Sequence, residues 1–152
     1  MQILAVRVRG DRFGLPAENV VEIFRAVAVS KLPGSPAVIS GVINVRGDTV
    51  VVIDPAVRFG NPETPVKPDD NFVLVNTALR TVAIRVDIAE DLIEVDNDEL
   101  TSASSTSAAL DKVHGVAAMP DGALVIYDVA AFLTQAEDEA IAEALAAATV
   151  AR

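Results

Sequence analysis

Seven carboxylates crowd thirteen residues of this chain: Asp87, Glu90, Asp91, Glu94, Asp96, Asp98 and Glu99. Acids at that density invite a divalent-cation site. The run lacks the ligand spacing of an EF-hand loop, however, and the glycine that its sharp turn requires. A solvated acidic face, or an edge that docks a basic partner, is the expectation. His114 is the one histidine and sits in an apolar run beside Val113, Gly115 and Val116. A general base needs a positioned nucleophile next to it, and none is suggested by the sequence. There is no cysteine, no Gly-x-Ser-x-Gly elbow and no glycine-rich phosphate loop. The residues therefore read as those of a non-enzyme, with no catalytic group, metal or cofactor expected.

Two other patterns look made for contact with a partner. Asn44-Val45-Arg46-Gly47 places a cation at a turn between two hydrophobic runs. Val20-Val21-Glu22-Ile23 surrounds one acid with branched apolar residues. Strand side chains alternate faces, so at least one of those apolar groups must point away from its own sheet.

The elements that hold these residues are short and rich in valine. Strands are expected at Ile3 to Val8, Phe13 to Pro16, Gly41 to Val45, Thr49 to Ile53, Phe72 to Val75, Thr81 to Val86, Val113 to Met119 and Ala123 to Tyr127. Ser35-Pro36 and Asp54-Pro55 each pair an N-cap residue with a first-turn proline, which predicts one short helical turn after the first and a short helix, closed by Phe59-Gly60, after the second. Asp128 is expected to cap another through Phe132-Leu133, and Ala140 to Ala148 reads as an Ala-rich helix. Asn61 to Asp70, with three prolines, reads as an exposed linker, and Thr101 to Ala109 as a loop of low complexity.

An internal repeat organises these pieces. Gly41-Val42 recurs as Gly115-Val116, Asp54 as Asp128 and Ala56 as Ala130, all at an offset of 74. Upstream, Phe13 to Pro16 and Val82 to Val86 look equivalent at an offset nearer 70. Two similar small β units follow, each closed by a short helix and sharing an apolar seam, because neither has much interior of its own.

Charge divides along the same line. Of 152 residues with a net charge of −10, residues 1–76 carry equal numbers of acids and bases, so the surplus lies in residues 77–152. No basic stripe is available for nucleic acid or for an anionic membrane surface. The N-terminus meets Arg7 too soon for a signal peptide, and the longest apolar helical stretch is too short to span a bilayer. A cytoplasmic protein without direct membrane insertion is expected.

Taken in order, the motifs resemble those of the CheW-type coupling proteins of bacterial chemotaxis, over about residues 4–134. Gly14-Leu15-Pro16 is followed by Val20-x-Glu22-Ile23. Leu32-Pro33 and Pro36 precede Gly41-Val42-Ile43-Asn44-Val45-Arg46-Gly47, similar to the family's Gly-Val-Ile-Asn-Leu-Arg-Gly. Val52-Ile53-Asp54, Phe59-Gly60, Val86-Asp87, Gly115-Val116 and Leu124 to Asp128 come after, before Phe132-Leu133. The resemblance implies a mainly β fold of two SH3-like five-stranded barrels, with a first barrel at about 12–68 and a second at about 69–135. The N-terminal strand would pair with either, and 136–152 would form an acidic, Ala-rich C-terminal helix.

It also implies an adaptor scaffold for signal transduction, joining methyl-accepting chemoreceptor tips to the regulatory domain of the histidine kinase CheA. The alternative is a CheW-like module that tunes or competes for a kinase docking site outside motility. The family's contact residues carry over to Arg46, Val20, Glu22 and Gly41. Val42, Ile43 and Val45, the apolar residues nearest Arg46, would help line the seam between lobes. Arg85 stands where the family usually has an apolar residue and is expected to mark an exposed edge.

Overall fold

Branched side chains favour extended backbone and pack well on a pleated surface, so the short valine and isoleucine runs become strands. The computed structural model describes residues 1–96, 100–102 and 113–150. Its elements are β1 (Gln2–Val8), β2 (Asp11–Pro16), β3 (Val20–Arg25), β4 (Ile39–Val45), β5 (Asp48–Ile53), α1 (Pro55–Arg58), β6 (Asn71–Asn76), β7 (Thr81–Val86), β8 (Ile88–Glu94), β9 (Leu100–Ser102), β10 (Val113–Met119), β11 (Gly122–Tyr127) and α2 (Gln135–Val150).

The strands form two sheets, ordered β3-β6-β7-β5-β4 and β8-β1-β2-β11-β10-β9. The expected mainly β, two-lobed class is what the chain adopts. The second sheet has six strands rather than five, and both orders run from one edge strand to another instead of closing into a full barrel. The first sheet curls far enough that its edges meet at one bridge, Ser30 with Val42.

Each sheet draws strands from both sides of residue 68. The hairpin β1–β2 completes the sheet of β8–β11, and β6–β7 completes the sheet of β3–β5. Parallel pairing is the physical reason. β7 lies parallel to β5 (Val52 beside Ala83) and β2 parallel to β11 (Ile126 beside Gly14). Parallel neighbours cannot be joined by a tight turn: between β2 and β11 the chain builds the whole of the other sheet, and between β5 and β7 it passes through α1, the 61–70 segment and β6.

The repeat survives in register. Gly41 faces Val52 and Gly115 faces Ile126, with a bulge just before each glycine, at the offset of 74. Leu74 faces Ala83 and Ala5 faces Gly14, an offset of 69. Ile23 pairs with Val73 and Leu92 with Leu4 at that same offset, so β8 is the counterpart of β3.

Three apolar clusters follow from this plan. Ile43, Val50, Val52, Phe72, Leu74 and Ala83 fill the first lobe. Ile3, Val95, Ala117, Leu124 and Ile126 fill the second. The largest cluster joins them, with Val6 and Leu15 from one sheet against Val73 and Ile84 from the other. That is the shared seam, and Tyr127 stacks there between Phe13 and Phe59 at ring separations of 4.7 and 5.1 Å.

Helix α2 packs onto the seam through fully buried Ile141 and through Ala144. It begins at a reciprocal cap. The Glu137 N–H donates to Thr134 Oγ1 at 3.1 Å, and the Thr134 N–H donates to Glu137 Oε1 at 2.9 Å. Arg58 clasps the same carboxylate with two hydrogen bonds of 2.8 Å, and Arg80 Nε donates to Asp138. Burial alone pushes the Glu137 carboxyl up, but the bonds from Arg58 and Thr134 outweigh it and hold the group below its ordinary 4.5.

A depressed carboxylate stabilises the fold fully above that ordinary value and loses its effect as pH falls through the lowered one. Glu137→Gln is therefore expected to cost about 2 kcal/mol at neutral pH. Its melting temperature should converge on that of the parent well below pH 4.5. Thermal unfolding followed by circular dichroism across that range is the check.

Four local expectations change. Residues after Ser35-Pro36 form a turn, with the Ile39 N–H donating to Pro36 O, not a helix. Asp128 precedes a 3-10 turn at Val129–Ala131 but makes no side-chain cap. Thr101 and Ser102 belong to β9, while 103–109 lie outside the described residues, as do Asp98 and Glu99. Arg85 does not mark an exposed edge: it is 7% exposed on the interior strand β7. Its charge is tolerated because two buried carboxylates meet it.

Candidate functional site

Two residues singled out in the sequence come together. Arg46 and Gly47 are the central pair of the β4–β5 hairpin, and both have positive φ, 49° and 91°. Positive φ at both positions defines a type I′ turn, which matches the right-handed twist of the strands. An arginine in left-handed backbone is uncommon. The turn is held by Asn44, whose Oδ1 accepts from the Gly47 N–H at 2.8 Å.

From this tip the Arg46 guanidinium reaches across to β3 and forks onto Glu22. Nη1 donates to Oε1 at 3.1 Å and Nη2 to Oε2 at 2.5 Å. Hydrogen bonding from Arg46 holds the Glu22 carboxyl below its ordinary value, and Glu22 in turn raises Arg46. β3 and β4 are the opposite edges of their sheet, so this ion pair spans the gap between them. The Arg46 side chain remains 70% exposed.

The apolar residues divide between surface, seam and core. Val20 is half-buried against the seam, and Val21 and Ile23 are the exposed pair, helped by a bulge between Val20 and Glu22. Ile43 is 3% exposed and belongs to the core of the first lobe, so it does not line an open surface. Val45 leans half-buried on that same core, and Val42 on the seam. Gly41 is buried at the far end of β4, where its backbone passes against Ser30. The seam is already filled by the chain's own side chains, Ile141 of α2 among them.

Part of the acidic run is taken up structurally. Asp87 accepts from the N–H groups of Arg9 and Gly10, at 3.1 and 2.8 Å, and so fixes the β1–β2 turn. Glu90 bridges Arg7 and Arg12, both at 3.2 Å. Leu92 is 63% exposed on the same strand, as Ile23 is on its counterpart. Among the described residues, no cluster of three or more possible ligands could hold a metal ion. His114 is exposed on β10. Among the described residues, no helix is long and apolar enough to cross a membrane.

Sequence reasoning missed a polar centre at the end of β7. Arg85 Nε donates to Asp70 Oδ2 at 3.0 Å and Nη1 to Asp54 Oδ2 at 3.4 Å. The same guanidinium also binds Thr64 O at 2.6 Å, Thr64 Oγ1 at 3.2 Å and Pro65 O at 2.8 Å. The 61–70 segment is thus stitched to the sheet. The available signal was the combination of an arginine in an apolar strand with Asp70 at the end of that segment and Asp54 ahead of α1.

This architecture can present surfaces; it assembles no nucleophile, base or ligand set among the described residues. Residues 2–137 match the model of the CheW-like domain. The chain is 27% identical over 143 residues to the "Probable chemotaxis protein CheW" of Rhizobium etli, covering 91% of each chain. It is 26% identical to the "Chemotaxis protein CheW" of Klebsiella aerogenes, covering 90% of this chain and 83% of that one. The crystal structure of the scaffolding protein TtCheW from Thermoanaerobacter tengcongensis is similar over 83% of this chain and 87% of that one, with a TM-score of 0.75 and 25% identity.

Proposed function

The chain belongs to the CheW-like domain family, and on that premise we propose that it is a chemotaxis adaptor that couples receptor tips to the histidine kinase CheA. The observation that carries the proposal is the family match across nearly the whole described fold, from β1 to the start of α2. The residues suit the role. The exposed Arg46 guanidinium forked onto Glu22 is a surface for protein contact, and Val21 and Ile23 are exposed on the same strand as Glu22. Adaptors in extended assemblies gain avidity from several modest interfaces, so one strong pocket is unnecessary. A cytoplasmic location goes with this role.

Arg46 is the residue on which the contact is expected to depend. Arg46→Glu should weaken capture of a receptor-tip fragment or of the CheA regulatory domain at least tenfold. The melting temperature should stay within a few degrees, because exposed ion pairs add little to stability. A Glu22→Arg, Arg46→Glu double variant separates the two meanings of the pair. It restores an ion pair between β3 and the hairpin but presents the opposite charge outward. Recovery of binding in the double variant would make the pair structural only; continued loss places Arg46 at the contact. The decisive assay is reconstitution of receptor and kinase with and without the chain. If it binds neither partner, the coupling role fails. If it binds kinase and displaces it from receptor, the competing-module alternative holds.

A further inference from the structure

A groove of about 650 Å³ opens at the start of β4. Its walls are the segment 26–31 that follows β3 and the linker 63–68, with Ser40 also lining it. Val29 and Val66 lean half-buried on the first-lobe core, so the groove has an apolar base. Ser40 and Arg46 sit at opposite ends of that strand, about 20 Å apart at ~3.3 Å per residue. The groove is therefore distinct from the surface discussed above.

Three features say what it takes. The first is unmet main-chain bonding. Ala26 N–H donates to Asp70 O at 2.8 Å, and Ser30 exchanges bonds of 2.9 and 2.8 Å with Val42. Between these anchors, the main-chain groups of Val27, Ala28 and Val29 have no hydrogen-bond partner among the described residues. The Ser40 hydroxyl oxygen, shielded from solvent, has none either. A backbone segment held at both ends, with its own main-chain groups unpaired among the described residues, is a template for an added strand.

The second feature is a fixed opposite wall, since Arg85 holds the carbonyls of Thr64 and Pro65. The third is charge. Among the described residues every arginine is paired with a carboxylate. Among the described residues, Lys31 and Lys67 are the cations with no carboxylate partner, and both line this groove. Glu63 offsets them only in part. Two unpaired cations converging on one apolar groove, in a chain with net charge −10, make a local field opposite to that of the molecule.

We propose that the groove docks an extended acidic segment of a partner protein, in which carboxylates alternate with small apolar side chains. Its main chain would complete the bonding of Val27 to Val29. Its apolar side chains would face Val27, Pro65 and Val66, and its carboxylates would reach Lys31 and Lys67. A helix satisfies its own backbone and would leave Val27 to Val29 unpaired; a basic segment meets the lysines unfavourably. The proposal goes beyond the coupling role and does not depend on it.

The probe is a fluorescein-labelled peptide of about eight residues with blocked ends, alternating Glu and Val, titrated into the full chain. Expected is saturable binding that shifts backbone amides at 26–31 and 63–68. Affinity should fall at least tenfold in Lys31→Glu/Lys67→Glu, and steeply between about 50 and about 500 mM salt. Equal binding of the matching Lys–Val peptide would overturn the proposal. So would unchanged affinity in the double variant, amide shifts confined to the Arg46 region, or no binding at millimolar peptide.

Discussion

Replacing Arg85 with leucine is expected to destabilise the fold by about 3 to 5 kcal/mol, the cost of removing one side of a buried charge network. Asp54 and Asp70 are 2% and 5% exposed, and each loses its bond to the guanidinium in that variant. The two do not suffer equally. Asp54 keeps Arg9 at 3.3 Å and still caps α1 through the Ala56 N–H. Asp70 keeps only the Lys67 N–H, at 2.9 Å. Adding Asp70→Asn to Arg85→Leu should therefore recover part of the loss, and Asp54→Asn should recover less.

A second readout is local. Thr64 and Pro65 are released with Arg85, so limited proteolysis should nick the 61–69 segment before the rest of the chain unfolds. Lysine is no substitute, because its three donors cannot reproduce a planar fork making five hydrogen bonds. A parental melting temperature in Arg85→Leu would show the network to be dispensable. At ~2 to 4 °C per kcal/mol for a chain of this size, the expected drop is about 10 °C.

Arg85 also shows where reading the sequence runs out. Valine runs, turn formers and capping aspartates are local signals, and the strands and α1 came out close to their residues. The offset of 74 held through the bulge at Gly41 and Gly115 because both copies follow the same local geometry. Pairing across long separations leaves no such trace. Nothing near Phe13 indicates that it will lie beside Val125, and that contact decides which lobe β2 joins. β8 was hidden because acids interrupt it, Glu90 serving distant Arg7 and Arg12, so the apolar alternation that marks a strand is broken. Arg85 looked exposed for the same reason: its partners lie 15 and 31 residues away. The candidate site was half legible. Arg46 and Glu22 were each visible as residues, but their ion pair depends on the curl that brings two sheet edges together.

That curl makes the sharpest test at Gly41, where alanine is expected to cost about 3 to 5 kcal/mol. A Cβ there would stand 2.3 Å from Ser30 O and 2.7 Å from Val29 Cγ1, closer than any side chain tolerates. The first of these is backbone and cannot swing aside. Gly41 also has φ +152°, a conformation that a side chain strains. Backbone strain contributes about 1 to 3 kcal/mol and overpacking a similar amount. What must yield is the Ser30–Val42 bridge, which with the Arg46–Glu22 pair joins β3's side of the sheet to β4's. Gly41→Ala should therefore lower the melting temperature by about 10 °C, and loosen the geometry that lets Arg46 reach Glu22. Gly41 and Arg46 share one sequence motif, yet their variants should fail differently. Arg46→Glu should lose partner binding with unchanged unfolding, whereas Gly41→Ala should lose binding only in proportion to the fraction unfolded. Binding measured at low temperature, where Gly41→Ala is still folded, distinguishes them. Recovery there makes Gly41 a residue of the fold, and persistent loss with intact folding would return it to the contact surface.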